Sequence, residues 1–193
     1  MAIFYKQLTK NTLDIIESIP VNKSLTFVAP TGSSGKFILS LQTLLHINPA
    51  NKKTQVLMLY DGRKRNRVEK GIDHFKRLTK DLNLNIHSEV FTGVYPISRD
   101  DAVLRRQPVQ VAHGTLGRIH SLLHHGLLNS NDIKCICFVD GDSFVEQDII
   151  NELKEFSTLF RKKPLCFIRS IQPTPTLKSV FHKPADYYNI IGH

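Results

Sequence analysis

The chain has no apolar run of membrane-spanning length, no low-complexity tract and no internal repeat across its 193 residues. The first absence excludes a transmembrane helix, which needs about 20 consecutive apolar residues. The other two leave a chain of ordinary composition. Cysteine is scarce as well. Cys135, Cys137 and Cys166 sit in apolar, strand-like runs, where a free thiol behaves as a small hydrophobe. The Cys135-x-Cys137 spacing, with no second pair, does not suit zinc, so no structural metal is expected. Negative charge is also short, with 17 Asp and Glu against 26 Lys and Arg and a formal net charge of +9. If that excess clusters on one face, it attracts polyanions such as nucleic acid, or an acidic partner. The opening residues Met1-Ala2-Ile3-Phe4-Tyr5-Lys6 lack a signal-peptide pattern, so a cytoplasmic or nuclear location with no membrane partner is expected.

What is present is enough for one domain of usual size. A chain of this length, 41% hydrophobic, buries a substantial core, and residues 1–193 are expected to form a single unit. Residues 11–19 carry Leu13, Ile15, Ile16 and Ile19 among polar positions, which predicts a short amphipathic helix ending at Pro20. The run Leu25-Thr26-Phe27-Val28 predicts a strand, and Val56 to Tyr60 a second one buried on both faces. Val68, Ile72, Phe75, Leu78 and Leu82 recur at helical spacing, with Lys and Arg forming the solvated face between them. Ile86–Phe91 and Gln107–Ala112 predict two short strands separated by a polar loop that includes Arg99, Asp100 and Asp101. Ile119, Leu122 and Leu123 mark a helix closed by Gly126. Ile133–Val139 is the most apolar strand, and Asp140-Gly141-Asp142-Ser143 follows it. Val145, Ile149, Leu153, Phe156 and Phe160 then share a helical stripe before the strand Leu165–Ile168 and Arg169-Ser170. Strands alternating with helices predict a three-layer α/β fold: a mainly parallel sheet, helices on both faces, and ligands bound beyond the carboxyl ends of the strands.

One stretch has a direct chemical reading. Ala29-Pro30-Thr31-Gly32-Ser33-Ser34-Gly35-Lys36-Phe37 follows the first strand and opens a helix. Such a loop points backbone N–H groups, a helix N-terminus and a lysine at one place, which suits phosphate. Thr31, Gly32, Ser33, Ser34, Gly35 and Lys36 are therefore candidate nucleotide ligands. The pattern G/A-x-x-x-x-G-K-[ST] is broken twice. Pro30 stands where Gly or Ala is expected, and Phe37 replaces the hydroxyl that holds Mg²⁺.

These segments, taken in order, resemble the N-terminal RecA-like domain of DEAD-box RNA helicases, especially the translation-initiation-factor type. Ala29 to Lys36 is similar to A-x-T-G-S-G-K with one inserted Ser. Tyr60-Asp61-Gly62-Arg63 occupies the place of P-T-R-E-L, Thr92-Gly93 that of a Gly-Gly pair, and Ser170-Ile171-Gln172 that of S-A-T. Gly114-Thr115-Leu116-Gly117-Arg118-Ile119 is close to G-T-P-G-R-[LIV] and is the most specific match. Asp140 to Ser143 falls on the D-E-A-D tetrad.

The resemblance implies a RecA-like fold and ATP or ADP with Mg²⁺ as cofactor. It also implies contacts to the backbone of single-stranded RNA from Arg63, Thr92, Gly93, Gly114, Thr115, Gly117 and Arg118. Asp140 is then the remnant of the tetrad and the one metal-facing carboxylate, but Gly141 replaces the Glu that positions the attacking water. Asp142 should point to the other side of the chain. No catalytic residue is intact, and loss of a general base costs about 10² to 10⁴ in rate. The expected function is a degenerate helicase-like domain, an RNA-associated or protein-interaction module (its protein partner one of RNA processing or translation) with little or no ATP hydrolysis and weakened Mg²⁺ binding. The alternative is the ATP-binding half of an RNA helicase completed by a second RecA-like domain, which this sequence does not contain.

Overall fold

A computed structural model describes residues 17–20, 22–30, 34–63, 65–162, 164–180 and 186–189; the side chains at 65, 66, 178 and 186–189 are not among those described. Most of the predicted helix at 11–19, and Thr31, Gly32 and Ser33 of the glycine-rich loop, lie outside these residues.

Seven strands form the sheet. They are β1 (Leu25–Val28), β2 (Val56–Tyr60), β3 (Ser88–Phe91), β4 (Val111–Thr115), β5 (Cys135–Phe138), β6 (Leu165–Ser170) and β7 (Asp186–Asn189). Their order across the sheet is β3-β4-β2-β5-β6-β1-β7, and every pairing is parallel. Among the described residues the α-helices that connect them are α1 (Gly35–Leu44), α2 (Arg65–Asp81), α3 (Ile97–Arg106), α4 (Leu116–His124), α5 (Gln147–Thr158) and α6 (Pro175–Val180).

The alternation of side chains along the strands builds the three layers. Leu57 and Leu59 of β2, Ile136 and Phe138 of β5, and Ile168 of β6 face α4 and α5, where Ile119, Leu122, Leu153 and Phe156 complete one core. Their neighbours Val56, Met58 and Tyr60, Cys135 and Cys137, and Phe167 face the other way, onto Ile38, Leu39, Val68 and Phe75 of α1 and α2. Each fully buried Leu or Phe contributes about 1.5–3 kcal/mol, so both faces of the central strands are fixed. The three cysteines are free and buried in this sheet. Burial pushes the Cys135 and Cys166 thiols up, which keeps them protonated and inert.

Two expectations are corrected. The stretch read as a polar loop contains α3, whose N-cap is Pro96 and which carries Asp100 in its first turn and Arg105 and Arg106 in its last. Those charges match the helix dipole, but the apolar stripe is thin: only Ile97, Val103 and Leu104 reach the core. The strand read at Gln107–Ala112 begins instead at Val111 and runs to Thr115. Gln110 lies just before it and is tied by its side chain to the backbone of His87 and Pro49. Neither α6 nor β7 has a counterpart in the sequence reading. Among the described residues no helix is long and apolar enough to cross a membrane.

Candidate functional site

Strand order decides which chain ends meet. β6 lies between β1 and β5, so a side chain near its carboxyl end reaches both the glycine-rich loop and the segment after β5. Arg169 occupies that position and is 4% exposed. One of its terminal nitrogens donates to Asp140 Oδ1 at 3.3 Å. The other donates to the carbonyls of Ala29 at 3.0 Å and Pro30 at 3.1 Å. Arg67 of α2 approaches the second oxygen, Asp140 Oδ2, at 2.9 Å. Both oxygens of the expected metal-facing carboxylate are thus engaged by guanidinium groups.

Lys36 is exposed in the first turn of α1 beside this cluster. Desolvation lowers its pKa. Asp140 pulls the other way, but Arg169, Arg67 and Lys70 push it further down. Of the remaining candidate nucleotide residues, Ser34 is the N-cap of α1 and its side chain accepts no cap bond, while Gly35 is buried. A β-carbon at Gly35 would stand 2.6 Å from that of Ala29, so only glycine lets α1 start this close to the end of β1.

Gly141 is constrained in the same way. A β-carbon there would lie 2.6 Å from Ile168 Cγ2 and 3.3 Å from both the Arg169 carbonyl and Ser170 Cβ. The missing glutamate therefore has no room on this backbone. Asp142 turns to the other side, as expected, and its carboxylate accepts from the amides of Ile171 at 2.8 Å and Gln172 at 3.1 Å. It fastens the segment after β6 to the turn after β5.

Mg²⁺ does not fit this arrangement. Both Asp140 oxygens are ion-paired with guanidinium groups, although Oδ2 accepts no hydrogen bond; Phe37 brings no hydroxyl, and the described residues hold no cluster of three or more His, Cys, Asp or Glu able to bind a metal. A divalent cation prefers hard, negatively charged oxygen ligands, whereas this corner is lined with cations.

The residues expected to touch RNA lie around the ends of β2, β3 and β4. Gly93 is exposed with open space where a side chain would be, and Thr92 is buried. Gly114 is packed inside β4 against the Phe91 carbonyl. Thr115 is the N-cap of α4, and Gly117 is exposed in its first turn. The two arginines differ from the expectation of open phosphate ligands. Arg118 has a side chain only 11% exposed, stands 3.6 Å from buried Asp100 and donates to the Tyr95 carbonyl. Arg99 holds the other oxygen of Asp100 at 3.0 Å and lies over the Tyr95 ring. Arg63 is bound by Asp61 at 3.0 Å and by Glu146. Burial alone would raise the Asp61 pKa, but the bonds from the Arg63 side chain and amide hold it below the usual carboxylate range. A cavity of about 320 Å³ opens here, lined by Asp61, Arg63, Thr115, Gly117, Glu146 and Glu152. Three carboxylates against one arginine repel a phosphate from the start of α4.

Sequence reasoning missed Arg169, Arg67 and Asp100 as site residues. Arg169 carried a usable signal. An arginine at the end of the otherwise apolar strand Leu165–Ile168 must find a carboxylate when buried, and Asp140 ends the neighbouring strand.

No family model matches the chain. The DEAD-box ATP-dependent RNA helicase CshC of Bacillus cereus is 28% identical over 178 residues, covering 84% of this chain and 41% of the relative. The human ATP-dependent RNA helicase DDX39A is 24% identical over 157 residues, covering 80% of this chain and 36% of the relative. The chain therefore spans about two fifths of the length of the curated relatives it matches. Among solved structures, S. cerevisiae Dbp5 bound to Nup159, Gle1, IP6 and ADP matches with a TM-score of 0.72 at 14% identity, over 96% of this chain and 53% of that one. The fold is RecA-like.

Proposed function

We propose, for a chain with the RecA-like fold and curated similarity to DEAD-box RNA helicases, that it is a single RNA-associated domain with little or no ATP hydrolysis. The observation that carries this reading is the corner around Asp140. Its carboxylate is engaged by Arg67 and Arg169, and Gly141 stands where no glutamate fits. Without a metal-facing carboxylate and a water-positioning group, transition-state charge on a transferred phosphoryl group goes unsupported. Nucleotide binding through Gly35 and Lys36 is retained, with Mg²⁺ contributing little. RNA association is carried by the net charge of +9 and by the open backbone at Gly93, while Arg63 and Arg118 position the loops around it. Such binding is dominated by phosphate contacts, weakens steeply with salt and shows no sequence preference.

A second reading, a protein-interaction module, is favoured by the carboxylate-lined cavity beside Thr115 and Gly117, which suits a partner's lysine or arginine. The reading as the ATP-binding half of a helicase completed by a second RecA-like domain draws on the link between two of the motif-like segments, the hold of Asp142 on Ile171 and Gln172.

The test combines fluorescence anisotropy with labelled single-stranded RNA across a salt series and RNA-stimulated ATP hydrolysis. Salt-sensitive binding, with turnover at the level of a Lys36→Ala variant, supports the proposal. Turnover stimulated by RNA and abolished by Lys36→Ala contradicts it in favour of the helicase half. Absence of RNA binding at low salt moves the function to a protein partner.

A further inference from the structure

We infer that the amino edge of the sheet carries a docking site for an acidic peptide: a cavity beside the end of α3 takes one apolar side chain, and Lys52, Arg105 and Arg106 around it take the flanking carboxylates. The site lies at the opposite end of the strands from Asp140 and Thr115, and it does not depend on the nucleotide or RNA readings above.

Topology makes the cavity. In the order β4-β2-β5, the connections that enter these parallel strands lie side by side. They are residues 52–54 before β2, 107–109 before β4 and 127–132 before β5. The Thr54 hydroxyl donates to the Val109 carbonyl at 2.7 Å. The Gln55 amide donates to the Gln110 carbonyl at 2.9 Å, and the Lys134 amide to the Gln55 carbonyl at 2.8 Å. Lys53 reaches Asp132 at 3.3 Å. These ties frame a cavity of about 500 Å³.

Its lining selects the ligand. The floor is apolar: Val109 and Leu128 belong to the core, and the partly buried Leu104 and Leu127 pack against them. An apolar side chain entering here leaves water much as it would in the interior. The rim is cationic. Lys52, Lys53, Arg105 and Arg106 line it against the one carboxylate of Asp132, which Lys53 already holds. Arg105 pairs at 2.8 Å with Asp101, one turn back on α3. Among the described residues the Lys52 and Arg106 side chains make no ion pair. The dipole of α3 accounts for cations in its last turn. It accounts for neither Lys52 nor an opening that reaches the core.

A second cavity, of about 490 Å³, shares Gln107 with the first and adds Lys76 and Lys80. Ser88 of the edge strand β3 also lines it, 4% exposed, and its Oγ has no hydrogen-bond partner. The carboxylate here, Glu89, already accepts from Gln107 at 2.8 Å. A peptide running past Gln107 therefore meets further cations and a buried hydroxyl in need of a partner. RNA suits the surface less well. No aromatic side chain lines the first cavity, so bases find no stacking platform, and a phosphate backbone has nothing to set on the apolar floor.

Amide NMR titrations of the chain test this with two synthetic heptapeptides, Asp-Glu-Asp-Leu-Asp-Glu-Asp and its counterpart with Ser for Leu, and with single-stranded oligouridylate. The leucine peptide is expected to shift the amides of Leu104, Val109, Leu127 and Leu128. The serine peptide should bind about tenfold more weakly, the loss of one buried leucine. A Lys52→Glu/Arg106→Glu variant should bind the leucine peptide about tenfold or more weakly through like-charge repulsion. Both positions are exposed, so the variant should keep its fold, checked by thermal melting. Equal binding of the two peptides, or binding unchanged by the charge reversal, overturns the inference. So do shifts confined to the carboxyl edge, and the absence of shifts at millimolar peptide; either result leaves the nucleotide and RNA readings standing. Oligouridylate shifting the same amides more strongly than the leucine peptide also overturns it and makes this edge a nucleic-acid surface.

Discussion

Two corners at the carboxyl edge of the sheet use the same device to opposite effect. At one, Asp140 is held by Arg67 and Arg169; at the other, Asp100 is held by Arg99 and Arg118. Around Asp140 the surplus is positive, with Lys36 and Lys70 added. Beside the Asp100 corner lies the cavity in which Asp61, Glu146 and Glu152 outnumber Arg63. The corner whose motif is the more altered in sequence thus carries the larger positive surplus. The corner whose motif is nearly intact, Gly114 to Arg118, borders the carboxylate-rich cavity. Similar motif letters do not by themselves decide which ligand is attracted; the sum of nearby charges bears on it directly.

The largest effect should come from breaking the Asp100 corner. Asp100 is fully buried, so Asp100→Ala leaves Arg118 without its counter-charge and should cost about 3–5 kcal/mol, read by urea unfolding. RNA binding should weaken with it, because Tyr95 and Gly93 lose their support. A loss below about 1 kcal/mol would show that the two corners are not equivalent scaffolds.

Acid separates the cores behind them. Burial, and secondarily Lys76, pushes His113 down to about 3 from 6.5, and its Nδ1 lies 2.9 Å from the Tyr60 hydroxyl. The folded protein keeps this ring neutral while the unfolded chain protonates it. Between about pH 6.5 and pH 3 the unfolded state therefore holds the extra proton, and stability falls as pH falls, by up to about 1.4 kcal/mol per unit. In His113→Phe that slope should drop by about one proton. An unchanged slope assigns the acid sensitivity elsewhere.

Gly141→Glu sharpens the comparison at the Asp140 corner. Placing the DEAD-box residue there should destabilise by about 1–3 kcal/mol through overpacking against Ile168 and should confer no ATP hydrolysis. A stable variant that hydrolyses ATP would mean that the packing around Gly141 does not exclude a glutamate.

The smallest effect belongs to Arg63→Ala, whose side chain is 55% exposed. Exposed ion pairs are screened by solvent and contribute little, so stability should barely move. RNA affinity should rise or fall less than in Asp100→Ala, because Arg63 already spends its charge on Asp61 and Glu146.

The layered fold was legible because β2 and β5 are continuous apolar runs and α2, α4 and α5 carry clear helical stripes. α3 was not, since its helix is fixed by a buried carboxylate rather than by an apolar stripe, and Asp100 looks like a solvated residue in sequence. The altered metal site could be read from Phe37 and Gly141. The pairing of Arg169 with Asp140 could not, because it depends on β6 lying between β1 and β5, an order that local pattern does not encode. Arg67 was hidden for a similar reason: among Lys64, Arg65 and Lys70 it reads as part of a solvated face, and only the packing of α2 brings it to Asp140.

The most direct test of the account is a crystal structure of the chain grown with ADP and Mn²⁺, with data collected at the manganese edge. The account predicts no anomalous peak bonded to the Asp140 carboxylate, with Arg67 and Arg169 still paired to it. A manganese ion on Asp140, with the two arginines swung away, would contradict it.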